Sequence, residues 1–128
     1  MLILVILGTG VDLCEVPRIR AAVERYGDRF LQRIFTPHEI AYCIRKANSY
    51  ERFAARFAAK EAGMKALGTG WRGVQWKDFE VKNLPSGRPT LVFHNKAAAV
   101  AEKLGVTRVA LSMTHTAEQA MAMVIAED

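Results

Sequence analysis

Ser49-Tyr50-Glu51-Arg52-Phe53-Ala54-Ala55-Arg56-Phe57-Ala58-Ala59-Lys60-Glu61-Ala62-Gly63-Met64-Lys65-Ala66-Leu67-Gly68 reads as one long helix, with Ser49 as its N-cap and Gly68 as the residue that ends it. At about 100° per residue, Phe57, Met64 and Phe53 fall about 40°, 60° and 80° to one side of Glu61, and Ala54 and Ala58 about 20° and 60° to the other. Glu61 thus lies in the apolar stripe. A carboxylate there needs a cation, hydrogen bonds or a proton, because an unpaired buried charge costs several kcal/mol. Lys65, one turn later on the same side, is a candidate partner, and an ordinary (i, i+4) pair at the stripe's edge is the plain alternative.

A second carboxylate stands in a similar setting. Met1 to Leu7 is an apolar run that leads into Gly8-Thr9-Gly10-Val11-Asp12, which reads as a buried strand delivering an acid at its end. Asp12 also suits a cap for a helix beginning near Val16-Pro17. Two acids on rigid elements, each beside apolar sequence, match what Mg²⁺ requires, with substrate phosphate and water supplying the remaining oxygens. Oxygen-only ligands suit Mn²⁺ equally.

The rest of the chain reads as helices followed by strands. Pro17 to about Tyr26 is a short helix broken at Gly27, and Thr36-Pro37-His38-Glu39 is a capping box opening a helix to about Ala47. Trp76 to Leu84 and Pro89 to His94 form a hairpin through Pro85-Ser86-Gly87-Arg88. Asn95 caps a short helix that Gly105 ends, and Thr107 to Thr116 and Glu118 to Ala126 are two further strands. The last strand is apolar on both faces. It is either covered by another subunit or central and fully buried within one chain.

The 128 residues carry no composition break, repeat or linker, so residues 1–128 read as a single domain. With 18 Lys and Arg against 13 Asp and Glu, the net charge of +5 favours anionic partners. Cys14 and Cys43 form neither a disulfide framework nor a Cys-x-x-Cys pair and read as reduced thiols. The N-terminal run lacks the basic start and cleavage site of a signal peptide, and no stretch approaches the roughly 20 apolar residues of a membrane span. A cytoplasmic protein without membrane contact is expected.

Taken together, Gly8-Thr9-Gly10-Val11-Asp12, Glu15, Arg18, Arg56-Phe57-Ala58-Ala59-Lys60-Glu61-Ala62, Lys65, Gly68-Thr69-Gly70 and Ser112-Met113-Thr114-His115-Thr116 closely resemble the holo-acyl-carrier-protein synthases, small phosphopantetheinyl transferases. The Gly8-x-Gly10 element alone is weak, since Leu13 breaks the dinucleotide-binding glycine pattern. The resemblance implies a single-domain α+β fold with an antiparallel sheet and a long helix, assembled as a homotrimer with sites between subunits. It implies transfer of 4′-phosphopantetheine from coenzyme A to a serine of apo acyl carrier protein, with Mg²⁺ (or Mn²⁺), in support of fatty acid biosynthesis.

By the same resemblance, Asp12 and Glu61 match the metal-binding carboxylates and Lys65 the lysine on the pyrophosphate, making these three the catalytic set. Asp12 is expected to take part in deprotonating the serine through a metal-bound water. Arg56, His115 and Thr116 match positions that hold the nucleotide's 3′-phosphate, and Gly68 opens a turn lying along the nucleotide. A helix C-cap explains that glycine equally well, and a hydrogen-bonded strand histidine explains His115. Where relatives carry a further basic residue before the long helix, this chain offers Ala47 or Asn48, with Arg45 and Lys46 nearby. Arg18 and Arg25 project within about 20° of each other on the first helix. The resemblance makes this face the dock for an acidic carrier protein, against the plain reading of a solvated basic face.

Two other classes share some of these features. A nucleic-acid-binding module would use the same charge, but the chain has no helix-turn-helix, aromatic RNA-binding or zinc-ligand pattern, so no nucleic-acid partner is expected. A different metal-dependent phosphotransferase or phosphohydrolase would use the same two carboxylates without needing a carrier.

Overall fold

In the computed structural model, which describes residues 5–128, the chain runs β1 (Ile6–Glu15), α1 (Val16–Tyr26), α2 (Asp28–Ile34), α3 (Pro37–Ile44), α4 (Ser49–Leu67), β2 (Phe79–Asn83), β3 (Pro89–Phe93), α5 (Asn95–Leu104), β4 (Arg108–His115) and β5 (Gln119–Glu127). The strands make two antiparallel sheets, one ordered β1-β5-β4 and the other the β2-β3 hairpin. This is the α+β fold with a long helix that the sequence implies. The part of the apolar N-terminal run at positions 1–4 lies outside the described residues.

Helix α4 lies on the inner face of the three-stranded sheet, and two glycines decide how close it comes. A Cβ at Gly8 would sit 1.9 Å from the Ala66 carbonyl oxygen, and one at Gly10 would sit 1.9 Å from that of Ala62. Only backbone without a side chain fits there. The Gly-x-Gly element is thus a helix-to-strand packing surface, and the next residue on that face of β1 is Asp12, carried to the side of α4.

The same closeness explains why α4 is buried nearly all round, where the sequence suggests a single apolar stripe. Ala54, Ala55, Ala58, Ala59, Ala62 and Ala66 are buried on its several faces, as a central helix requires. Glu61, expected within the stripe, is only partly buried, whereas its neighbour Lys60 is fully buried. Lys60 Nζ lies 2.7 Å from Glu39 Oε1 and donates to the carbonyl oxygens of Phe79 (2.5 Å) and Trp76 (3.3 Å). Glu39 is itself the capping-box residue of α3, accepting from the Thr36 backbone N–H, while its Oε2 accepts from the Val81 N–H. Ammonium and carboxylate therefore tie α3, α4 and β2 together with their hydrogen-bonding groups engaged, as a buried pair must be.

Several boundaries differ from the sequence reading. Asp12 lies inside β1, which continues to Glu15, and does not end the strand. The α4 N-cap is Asn48, and the α5 N-cap is His94, with Asn95 held at φ 51° while its side chain donates to Asp78. Helix α3 stops at Ile44, and Trp76–Asp78 is a 3₁₀ turn ahead of β2. Helix α2 is an addition: Gly27, with φ 57°, ends α1 and starts α2 within one residue.

Strand β5 is central in its sheet, but it is not fully buried. Ala120, Ala122, Val124 and Ala126 face α4, while Met121 and Met123 are 42% and 47% exposed beside Leu13 and Val11 of β1, each 53% exposed. The β1–β5 part of the outer sheet face is apolar and uncovered among the described residues, so the reading of a strand fully buried inside one chain does not hold.

Candidate active site

Asp12 on β1 and Glu61 on α4 are brought side by side, as the sequence suggests. Burial and then the nearby Asp12 charge push the Glu61 carboxyl above its ordinary pKa, with Lys65 and Arg18 pulling the other way. Lys65 is not the partner of Glu61 that the helix spacing suggests. Its Nζ donates instead across to β1, to Asp12 Oδ1 and the Val11 carbonyl oxygen, each at 3.1 Å. The Lys65 side chain remains 56% exposed, so its ammonium is available to an anion. Cys14, the next inward residue of β1, is buried and pushed up to about 11 by that burial despite Arg18 nearby. A thiol so held is no nucleophile at neutral pH.

The second group of expected residues lies on another side of α4. Arg56 and His115 line a cavity of about 180 Å³ together with Tyr42, Arg52 and Asn83. Arg56 is 3% exposed, its guanidinium stacks 4.2 Å over the Tyr42 ring, and its Nε is buried without a hydrogen-bond partner. Such an orphaned charged donor is uncommon in a folded protein. His115 Nδ1 lies 2.8 Å from Glu51 Oε1, a contact between β4 and the start of α4 that sequence spacing does not reveal. Thr116 is drawn into the turn between β4 and β5, where its hydroxyl accepts from the N–H groups of Glu118 and Gln119. Gly68 caps α4 in the left-handed region at φ 72°, as its C-cap reading requires.

Arg18 and Arg25 are both exposed on α1. Arg18 has a second setting the sequence does not give: it lines a small cavity with Cys14 and Phe57 and its charge is felt by Glu61. Helix α2 extends the basic surface, since Arg29 and Arg33 line a further cavity with Tyr26 and Phe30.

The model of the 4′-phosphopantetheinyl transferase superfamily matches residues 8–124. The chain is 67% identical over 124 residues to the holo-[acyl-carrier-protein] synthase of Solibacter usitatus, covering 96% of this chain and 99% of that one. Its fold is similar to the crystal structure of the holo-[acyl-carrier-protein] synthase from Neisseria meningitidis, with a TM-score of 0.88 and 34% identity over 97% of this chain and 100% of the other. It is similar also to the Bacillus anthracis enzyme solved in complex with CoA (3′,5′-ADP), at a TM-score of 0.78 and 35% identity over 96% and 97% of the two chains. Sequence match, fold and the paired acids of β1 and α4 agree: the chain belongs to the holo-[acyl-carrier-protein] synthase family of 4′-phosphopantetheinyl transferases.

Proposed function

We propose that this chain moves 4′-phosphopantetheine from coenzyme A to a serine hydroxyl of an apo acyl carrier protein, releasing adenosine 3′,5′-bisphosphate, in the cytoplasm and in service of fatty acid synthesis. The observation that carries this reading is the division of charge around α4: a carboxylate pair with a half-exposed lysine on one side and a buried arginine with an unpartnered Nε in a cavity on another. A long ligand with a pyrophosphate at its middle and a phosphate at one end matches that division. A phosphohydrolase explains the carboxylates but not the second cavity.

Two adjacent carboxylates, one with its pKa raised by burial and then by the other, form an oxygen-only donor set with unmet negative charge, which fits Mg²⁺ or Mn²⁺. Among the described residues no third ligating side chain joins them, so substrate and water complete such a site. A divalent cation held by Asp12 and Glu61 would neutralise charge on the pyrophosphate and lower the barrier to phosphoryl transfer. Lys65 is held by Asp12 Oδ1 and the Val11 carbonyl oxygen, which leaves one N–H of its ammonium for the pyrophosphate. The serine oxygen bonds to the phosphopantetheine phosphorus as the bond to the nucleotide's bridging oxygen breaks. Its proton passes to the carboxylate pair, with Asp12 Oδ2 left free of Lys65 for that role.

The uncovered apolar face of Val11, Leu13, Met121 and Met123 supports a homotrimer with sites between subunits. The basic surface of α1, with Arg18 and Arg25, supports docking of an acidic carrier protein.

The test is intact-mass analysis of an apo carrier protein incubated with the chain, coenzyme A and Mg²⁺. A gain of one phosphopantetheine is expected with wild type and none with Asp12→Asn or Arg56→Gln alone. Mixing these two variants after subunit exchange restores part of the activity. No mass gain with wild type sinks the reaction, and failure of the mixture to recover sinks the shared site.

A further inference from the structure

Ala47 and Asn48, which precede the long helix, carry no charge, and the two cations before them are engaged elsewhere. Arg45 Nε is engaged by the Ala41 carbonyl oxygen at 3.1 Å, and Lys46 Nζ rests 4.9 Å over the Tyr42 ring. Neither lines the cavity that holds Arg56 and His115.

Arg52 does line it. Its Nε donates to Asn48 Oδ1 at 3.2 Å, so Asn48 fixes the plane of the guanidinium instead of supplying a charge. Arg52 lies one helical turn before Arg56, and like charges at that spacing repel. It also sits in the first turn of α4, where the helix dipole disfavours a cation. Among the described residues neither guanidinium has a carboxylate within ion-pair distance. The nearest acid of the cluster, Glu51, is taken up by His115 Nδ1. Two guanidiniums, one of them with an unpartnered buried Nε, therefore converge with His115 on one cavity, and the Glu51 carboxylate there is engaged by the histidine and by neither arginine. A dianion bound there relieves both penalties at once.

We propose that Arg52 is a second phosphate-binding guanidinium of this chain, acting with Arg56 on the 3′-phosphate of coenzyme A. The inference rests on the transfer reaction proposed above.

Steady-state transfer with coenzyme A and with 3′-dephospho-coenzyme A tests it, using wild type, Arg52→Gln, Arg52→Lys and Lys46→Gln. Arg52→Gln is expected to raise KM for coenzyme A about tenfold, the effect of one charge-assisted hydrogen bond. The KM for the dephospho substrate should stay within about twofold, and Arg52→Lys should recover part of the loss. A role confined to helix stability moves both substrates alike, and that outcome overturns the proposal, as does a selective loss in Lys46→Gln instead. If wild type itself treats the two substrates equally, the phosphate reading of the cavity fails, independently of Arg52.

Discussion

Lys60 and Lys65 lie on the same helix and each meets a carboxylate, but the two pairs are built on opposite principles. Lys60 and Glu39 are both fully buried, and two backbone carbonyls complete the ammonium's partners. Lys65 and Asp12 are 56% and 14% exposed, and beside them Glu61 keeps a carboxyl with a raised pKa. The first pair has its demands met by the protein and holds three elements in place. The second leaves charge unmet, which favours a ligand over rigidity. An ion pair's place in the mechanism is therefore read from what it leaves unsatisfied.

The largest effect should come from the satisfied pair. Lys60→Met strands Glu39 as a buried anion, and urea unfolding is expected to show a loss of about 3–5 kcal/mol. A loss under about 1 kcal/mol would mean that the buried pair does not hold α4, and the contrast drawn here would collapse.

Glu61→Gln should act in the reverse sense on stability. A folded pKa above the ordinary 4.5 means that ionising Glu61 disfavours the folded state as pH rises past that value. The Gln variant is thus expected to melt higher than wild type at pH 7 without metal, with the gain shrinking toward pH 4 as the wild-type carboxyl takes up its proton. Added Mg²⁺ should raise the wild-type Tm and leave that of Glu61→Gln unchanged. Thermal scans across pH check both statements, and a gain that persists at pH 4 would show that charge is not its cause.

The smallest effect is expected from the solvated charges. Arg25→Glu, on exposed α1 and away from Glu61, should raise KM for the carrier a few-fold and leave that for coenzyme A unchanged. The difference from wild type should fade as ionic strength rises past about 0.1 M, where screening acts within ~10 Å. Arg18 is less clean for this purpose, because its charge also reaches Glu61. Equal KM values for the carrier in Arg25→Glu and wild type at low salt would leave that face without a partner.

Much of this was legible in the sequence because it is written locally. The capping box at Thr36 and Glu39, the Gly68 and Gly105 caps and the helix beginning at Pro17 all follow from residues within one turn of one another. Asp12 and Glu61 stood out because an acid beside apolar sequence is anomalous wherever it lies. What stayed hidden depends on distant partners. Glu39 reads fully as a cap, so nothing announces its bond to Lys60. Glu51 gives no sign of His115, and Lys65 one turn from Glu61 points to the wrong acid because β1 is not visible from α4. Gly27 reads as a breaker, and only the structure shows a second helix starting there.

The pairing of β1 has a consequence for how this protein is made. Its ladder partner is β5 alone, with Ile6 opposite Glu127 and Cys14 opposite Ala120. A chain emerging from the ribosome thus holds its first strand without a neighbour until the last has been synthesised, while the central helix it must receive is already complete. Local helices form early and such distant strand pairing late. Until β5 is made, Val11 and Leu13 have neither Met123 nor Met121 beside them, so the nascent polypeptide carries an unpaired strand with apolar side chains over that interval.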